Sequence, residues 1–101
     1  MSLQPFSPAI GKSVHTQTLS ATQSSGSKSI DRDDPQIRIC NAGGSTAFIR
    51  WGVGAQTAVT TDMPMLSGTV EVFNKGIADT IAAICASGQT ATLYLTLGNG
   101  Q

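Results

Sequence analysis

Charge is scarce in this chain: six basic and six acidic residues cancel across 101 positions, for a formal net charge of zero. The cations Lys12, Lys28, Arg32, Arg38, Arg50 and Lys75 are scattered. Binding a phosphate backbone needs them clustered, so nucleic acid is not an expected partner. Low charge also gives little electrostatic steering and a poor colloidal reserve, which suits a protein attached to something better than one dissolved at high concentration. No apolar run approaches the roughly 20 residues that span a bilayer, so no membrane partner is expected. Pro5 and Pro8 stand where a signal peptide would carry its apolar segment, so export by that route is not expected either.

Catalytic signatures are missing as well. There is no GxxxxGK phosphate loop, no GxSxG, no HExxH and no cysteine cluster. The one histidine, His15, lies in a polar stretch with no second ligand or nucleophile signature near it, and reads as a surface strand residue. Asp31, Asp33 and Asp34 crowd the loop before Pro35, but a Ca²⁺ loop wants a glycine at its sharp turn and a closing Glu, and neither follows. The expectation is therefore a non-enzyme with no catalytic residue, cofactor or metal site. Cys40 and Cys85 sit among apolar neighbours outside any CxxC spacing, and read as buried reduced thiols acting as small hydrophobes, with an inter-strand disulfide as the alternative.

What the chain does contain is strand-length runs separated by turn residues. The runs 36–40, 46–51, 56–61, 68–73, 80–85 and 90–97 are divided by Asn41-Ala42-Gly43-Gly44, Gly52-Val53-Gly54, Asp62-Met63-Pro64, Asn74-Lys75-Gly76 and Ser87-Gly88. Turn signals at such short, near-regular intervals mark an all-β sandwich or barrel. Two polar runs, one to about Ala21 and one ending at Ile30, bring the total to about eight short antiparallel strands. Eight is the jelly-roll count, although a count alone does not separate a jelly roll from an immunoglobulin-like sandwich. Alternation places Ile37, Ile39, Ala47, Ile49, Trp51, Val70, Val72, Leu93, Leu95 and Leu97 inward, and Arg38, Glu71, Thr92, Tyr94 and Thr96 outward. The run 80–85 also carries isoleucines at helical spacing, but Gly76 and Gly88 confine it to strand length. The stretch 41–52 reads as a central hairpin across an Asn-Ala-Gly-Gly turn that tolerates positive φ.

Residues 1–12 form an expected extended arm ahead of a sandwich domain at 13–101, since Pro5 and Pro8 forbid a helix. Leu3, Phe6 and Ile10 give that arm apolar bulk for packing on a neighbouring subunit, with a frayed terminus as the bland alternative. Met63 and Met65, flanking Pro64, are adaptable material for a partner surface or for a plug into the core. Arg50 is expected on the outer face of its strand, free to pair with an acidic residue of a neighbour.

The combination Ile39-Cys40-Asn41-Ala42-Gly43, Thr46-Ala47-Phe48-Ile49-Arg50-Trp51-Gly52, Thr60-Thr61-Asp62-Met63-Pro64, Gly68-Thr69-Val70-Glu71-Val72-Phe73 and Ile81-Ala82-Ala83-Ile84 resembles small β-sandwich capsid decoration, or cement, proteins of tailed bacteriophages. The resemblance covers roughly 36–98; the first third shares only its Ser/Thr richness and low charge. It implies a virion structural protein, made in the host cytoplasm and placed on the outer capsid surface. Its partners would be the major capsid protein, whose neighbouring subunits it bridges, and other copies of itself, often as a homotrimer. Two other readings stay open: a carbohydrate-binding or host-attachment sandwich module of a phage, and a head-completion or tail-connector component. An exposed Trp51 or Tyr94 beside Asp or Asn would favour the sugar reader, and a buried Trp51 the cement protein.

Overall fold

The computed structural model describes residues 7–8 and 16–99, and these form two antiparallel sheets with no helix among them. The strands are β1 (Ser7–Pro8), β2 (Thr16–Ala21), β3 (Gly26–Ser29), β4 (Gln36–Asn41), β5 (Ala47–Gly52), β6 (Met63–Met65), β7 (Val70–Asn74), β8 (Thr80–Cys85) and β9 (Ala91–Asn99). One sheet runs β2-β9-β4-β7, with β1 on the same flank of β9 as β2; the other runs β3-β8-β5-β6. Consecutive strands therefore alternate between the sheets or return to them, and sequence neighbours such as β4 and β5 do not pair.

The core lies between the sheets and is almost wholly aliphatic. Leu19, Ile37, Ile39, Leu93, Leu95 and Leu97 from the first sheet meet Ala47, Ile49, Met65, Ile81, Ala83 and Cys85 from the second. Burying each large aliphatic side chain stabilises the fold by about 1.5–3 kcal/mol. At one end Trp51 and Phe73 close the sandwich, their ring centroids 5.0 Å apart and tilted by 50°. The alternation of β4, β5 and β9 follows the expected inside-out pattern, and 80–85 is a strand.

Three sequence expectations are corrected. The stretch 41–52 is not a hairpin: β4 and β5 lie in different sheets, and the segment between them crosses from one to the other. Neither Gly43 nor Gly44 takes a positive φ. Gly43 is required for closeness instead, because a Cβ there would lie 2.5 Å from the Cα of Ala91. Second, 56–61 is not a strand but part of a long connection, and the supposed turn at Met63-Pro64 is strand β6. Third, β7 faces the other way. Phe73 pairs with Ile37 and Glu71 with Ile39, so Phe73 points inward while Val70 and Val72 are 46% and 44% exposed. A one-residue shift of parity flips every side chain. Here the aromatic contact with Trp51 outweighs two valines on an edge strand.

Most of the expected arm, including Leu3, Phe6 and Ile10, lies outside the described residues, as does His15. Ser7 and Pro8, within it, are described and pair antiparallel with Asn99 and Gly98.

Candidate functional site

The two sheets differ in what covers their outer faces. On the β3-β8-β5-β6 sheet, the connection 53–62 lies across the strands. Gly54 donates its N–H to the Asp79 carboxylate at 3.0 Å, the Arg50 guanidinium donates to the Thr57 carbonyl at 3.1 Å, and the Ala58 N–H reaches the Ser25 hydroxyl at 2.8 Å. Arg50 belongs to β5 and Ser25 leads into β3, so 57–58 passes over β8 between them. Ala82 of β8, which pairs with Arg50 and so faces outward, is completely buried, and Ala58 nearly so. The strap closes on itself where the Asp62 carboxylate accepts the Val59 N–H at 2.8 Å. Hydrogen bonds from Gly54 first, then from Thr80, hold the Asp79 carboxyl below its ordinary range.

Among the described residues, the β2-β9-β4-β7 sheet has no such strap. Its outer face carries Thr16, Thr18 and Ser20 from β2, Thr92, Tyr94 and Thr96 from β9, Gln36, Arg38 and Cys40 from β4, and Val70, Val72 and Asn74 from β7. Arg38 is the only charge among these positions, and it makes no ion pair among the described residues. Val70, Val72 and Tyr94 are each between 43% and 46% exposed, so apolar surface sits in the open beside hydroxyls. A face of this kind shares the scarcity of charge found in the core of protein interfaces, with exposed valines on the edge strand β7, Tyr94 on the central strand β9, and Thr and Ser hydroxyls able to pair around them.

The expected partner residues separate on inspection. Arg50 is outward, as expected, but its Nε lies 3.7 Å from the Asp62 carboxylate of the same chain. Within the chain it anchors the strap. Of the two readings of Met65, partner surface or plug into the core, its position fits the plug: it is fully buried, on the inner face opposite Ala47. Met63 remains 39% exposed at the edge. It lines a shallow depression of about 320 Å³ with Ile49, Arg50, Trp51 and Asp62, formed where β6 ends and the last residues of β5 are paired with β8 alone. Trp51 is half-buried there and packed on Phe73, while Tyr94, though exposed, has Cys40 and Thr18 as its cross-strand neighbours rather than Asp or Asn.

Sequence reasoning missed two buried polar centres. Asn41 is fully buried and fully used: its amide donates to the Met65 carbonyl at 2.8 Å and the Ser45 carbonyl at 3.0 Å, and its side-chain oxygen accepts the Gly43 N–H at 3.0 Å. It ties the crossing segment to β6. Lys75, also buried, donates to the Asp31 carbonyl at 2.7 Å and the Ala78 carbonyl at 2.8 Å. Burial lowers its pKa, against the opposing field of Asp34, Asp31, Asp33 and Asp79. The acidic loop is thus wrapped around a cation and is not simply solvated. Nothing within a few residues of Lys75 signals this, because the acidic loop and the Asp31 carbonyl lie some forty positions away in the sequence. The cysteines are free: Cys40 is half-exposed on the bare outer face, while Cys85 lies in the core, where burial pushes its thiol pKa up. No three His, Cys, Asp or Glu side chains gather as a metal site among the described residues.

Comparison with protein-family models, with curated proteins and with solved structures finds no match to this chain.

Proposed function

We propose that this protein is a virion structural protein that binds the outer surface of a phage head and stabilises it by bridging neighbouring capsid subunits. The observation that carries this reading is the asymmetry of the two outer faces among the described residues: one sheet is strapped by its own chain, while no described segment crosses the other, which is nearly uncharged and partly apolar. A cement protein needs rigid sheets and a wide docking face more than a cleft, and many copies acting together make a modest interface sufficient. We assign the bare β2-β9-β4-β7 face to the capsid, with Arg38 seeking a carboxylate of the major capsid protein. The N-terminal arm, with Leu3, Phe6 and Ile10, adds reach to a neighbouring subunit in this reading. The sandwich itself is read as a jelly roll. The supporting feature is its strand order, in which the first long strand β2 neighbours the last, β9, and the second, β3, neighbours the second last, β8.

Adding the purified protein back to heads that lack it tests the assignment. Arg38→Glu combined with Tyr94→Ala is expected to lower head occupancy by roughly tenfold or more, since an opposed like charge at an interface costs several kcal/mol. Val59→Lys, on the strap over the other sheet, should leave occupancy unchanged. Equal loss in both variants, or in neither, would overturn it.

A second reading, carbohydrate binding for host attachment, has one observation in its favour: Trp51 and Asp62 share the shallow depression beside Met63. The chain has a single Trp, so its fluorescence reports that site directly. A saturable change on titration with host-surface glycans would favour the sugar reader.

A further inference from the structure

Every open sheet exposes edge strands, and edges invite pairing with another chain unless something blocks them. Three of the four edges here are guarded. β6 is three residues long and contains Pro64; β3 is four residues long and carries Lys28; the flank made by β1 and β2 bears Pro8 and polar Thr16, Thr18 and Ser20. β7 is the least guarded. Among the described residues it pairs only with β4; it has no Pro or Lys within Val70–Asn74, its one charge is Glu71, and both valines are exposed.

We propose that β7 pairs with β7 of a second copy, antiparallel about a two-fold axis, with Val72 opposite Val72. Such an axis, perpendicular to the sheet, must set one residue of the strand against itself. Centring on Glu71 would oppose two carboxylates, which is unfavourable across a strand pair. A centre at Phe73 would shorten the overlap. Val72 at the axis uses the whole strand, sets each Val70 against Asn74 and each Glu71 against Phe73, and keeps the carboxylates apart. The chain's zero net charge removes long-range repulsion between copies. Exposed Leu66, in the link between the edge strands β6 and β7, adds apolar area on the same flank.

The product is one continuous sheet in which the two bare outer faces lie side by side. This two-fold contact does not depend on what the bare face binds, and it differs from the three-fold assembly implied by the cement-protein resemblance. A contact between two five-residue strands is smaller than a standard interface of about 1,200–2,000 Å². The association is therefore weak and needs a trapping experiment.

Introducing Val72→Cys into a Cys40→Ala background and oxidising the full-length protein is the direct test. Directly opposed residues in an antiparallel pair have Cα atoms about 4.5–5.5 Å apart, which a disulfide spans. The expected result is a covalent dimer from Val72→Cys and none from Val70→Cys, whose side chain faces Asn74 of the other copy. Sedimentation equilibrium of the wild type from micromolar to millimolar concentration should fit monomer and dimer. Val72→Lys should raise the dissociation constant roughly tenfold or more, by setting two ammonium groups face to face. The substitutions at Val70 and Val72 are at exposed positions and should leave the fold intact by circular dichroism. A monomer at all concentrations, a trimer, or cross-linking at Val70 as efficient as at Val72 would overturn the proposal.

Discussion

Asn41 is the residue on which the crossing between the sheets turns. Its amide group satisfies two carbonyls and one N–H in a place from which water is excluded, and an unsatisfied buried polar group costs about 1–3 kcal/mol. Asn41→Ala leaves all three partners unpaired. Asn41→Asp is the harsher change despite its shape, because a carboxylate accepts but does not donate, and would face the Ser45 and Met65 carbonyls with a buried negative charge. Chemical denaturation should show a loss of roughly 2–4 kcal/mol for Asn41→Asp, exceeding that of Asn41→Ala. The reverse order would mean that the amide donors contribute little. In the sequence, Asn41 looked like a turn residue on account of its neighbours Gly43 and Gly44. That composition is shared by tight turns and by close backbone crossings, and only the position of Ala91 shows which one applies.

The element that most distinguishes the chain is the strap over the second sheet. Asp79 pins its start by accepting the Gly54 N–H, and this bond together with the Thr80 hydroxyl lowers the Asp79 pKa from 3.8. A carboxyl with a depressed pKa in the folded protein contributes stability that is present above its unfolded value and is lost as pH falls through the folded value. In NMR, the Gly54 amide proton shift should therefore titrate with an apparent pKa below 3.8. A midpoint at or above that value would show that the bond does not hold the strap. The strap's sequence, Gln56-Thr57-Ala58-Val59-Thr60-Thr61, is β-favouring, which is why it reads as a strand. Its backbone pairs with no strand; side chains of Ser25 and Arg50 hold it instead, and neither signals that role locally. Strands with one aliphatic face, such as β4 and β9, were legible because a regular period of two is decided within the strand. β7 was not, because its direction depends on whether Phe73 finds Trp51 across the core.

At the scale of the whole molecule, the all-β architecture and its two sheets follow from composition, turn spacing and alternation. The sheet order does not, since it depends on crossings such as 42–46 that carry no pairing signal of their own. The same limit applies to the candidate surface: Arg38 and Tyr94 were legible as outward residues, but that their face stays open while the other is covered depends on where the strap lies. In the function proposed above, that open face meets a capsid and the protein has a repeating structural task on the virion. Quantitative mass spectrometry of purified virions measures this most directly, as copies of this chain per copy of the major capsid protein. The expected result is a fixed ratio in which copies scale with the capsid subunits. A handful of copies per particle, as in a connector or attachment structure, or none, would contradict it.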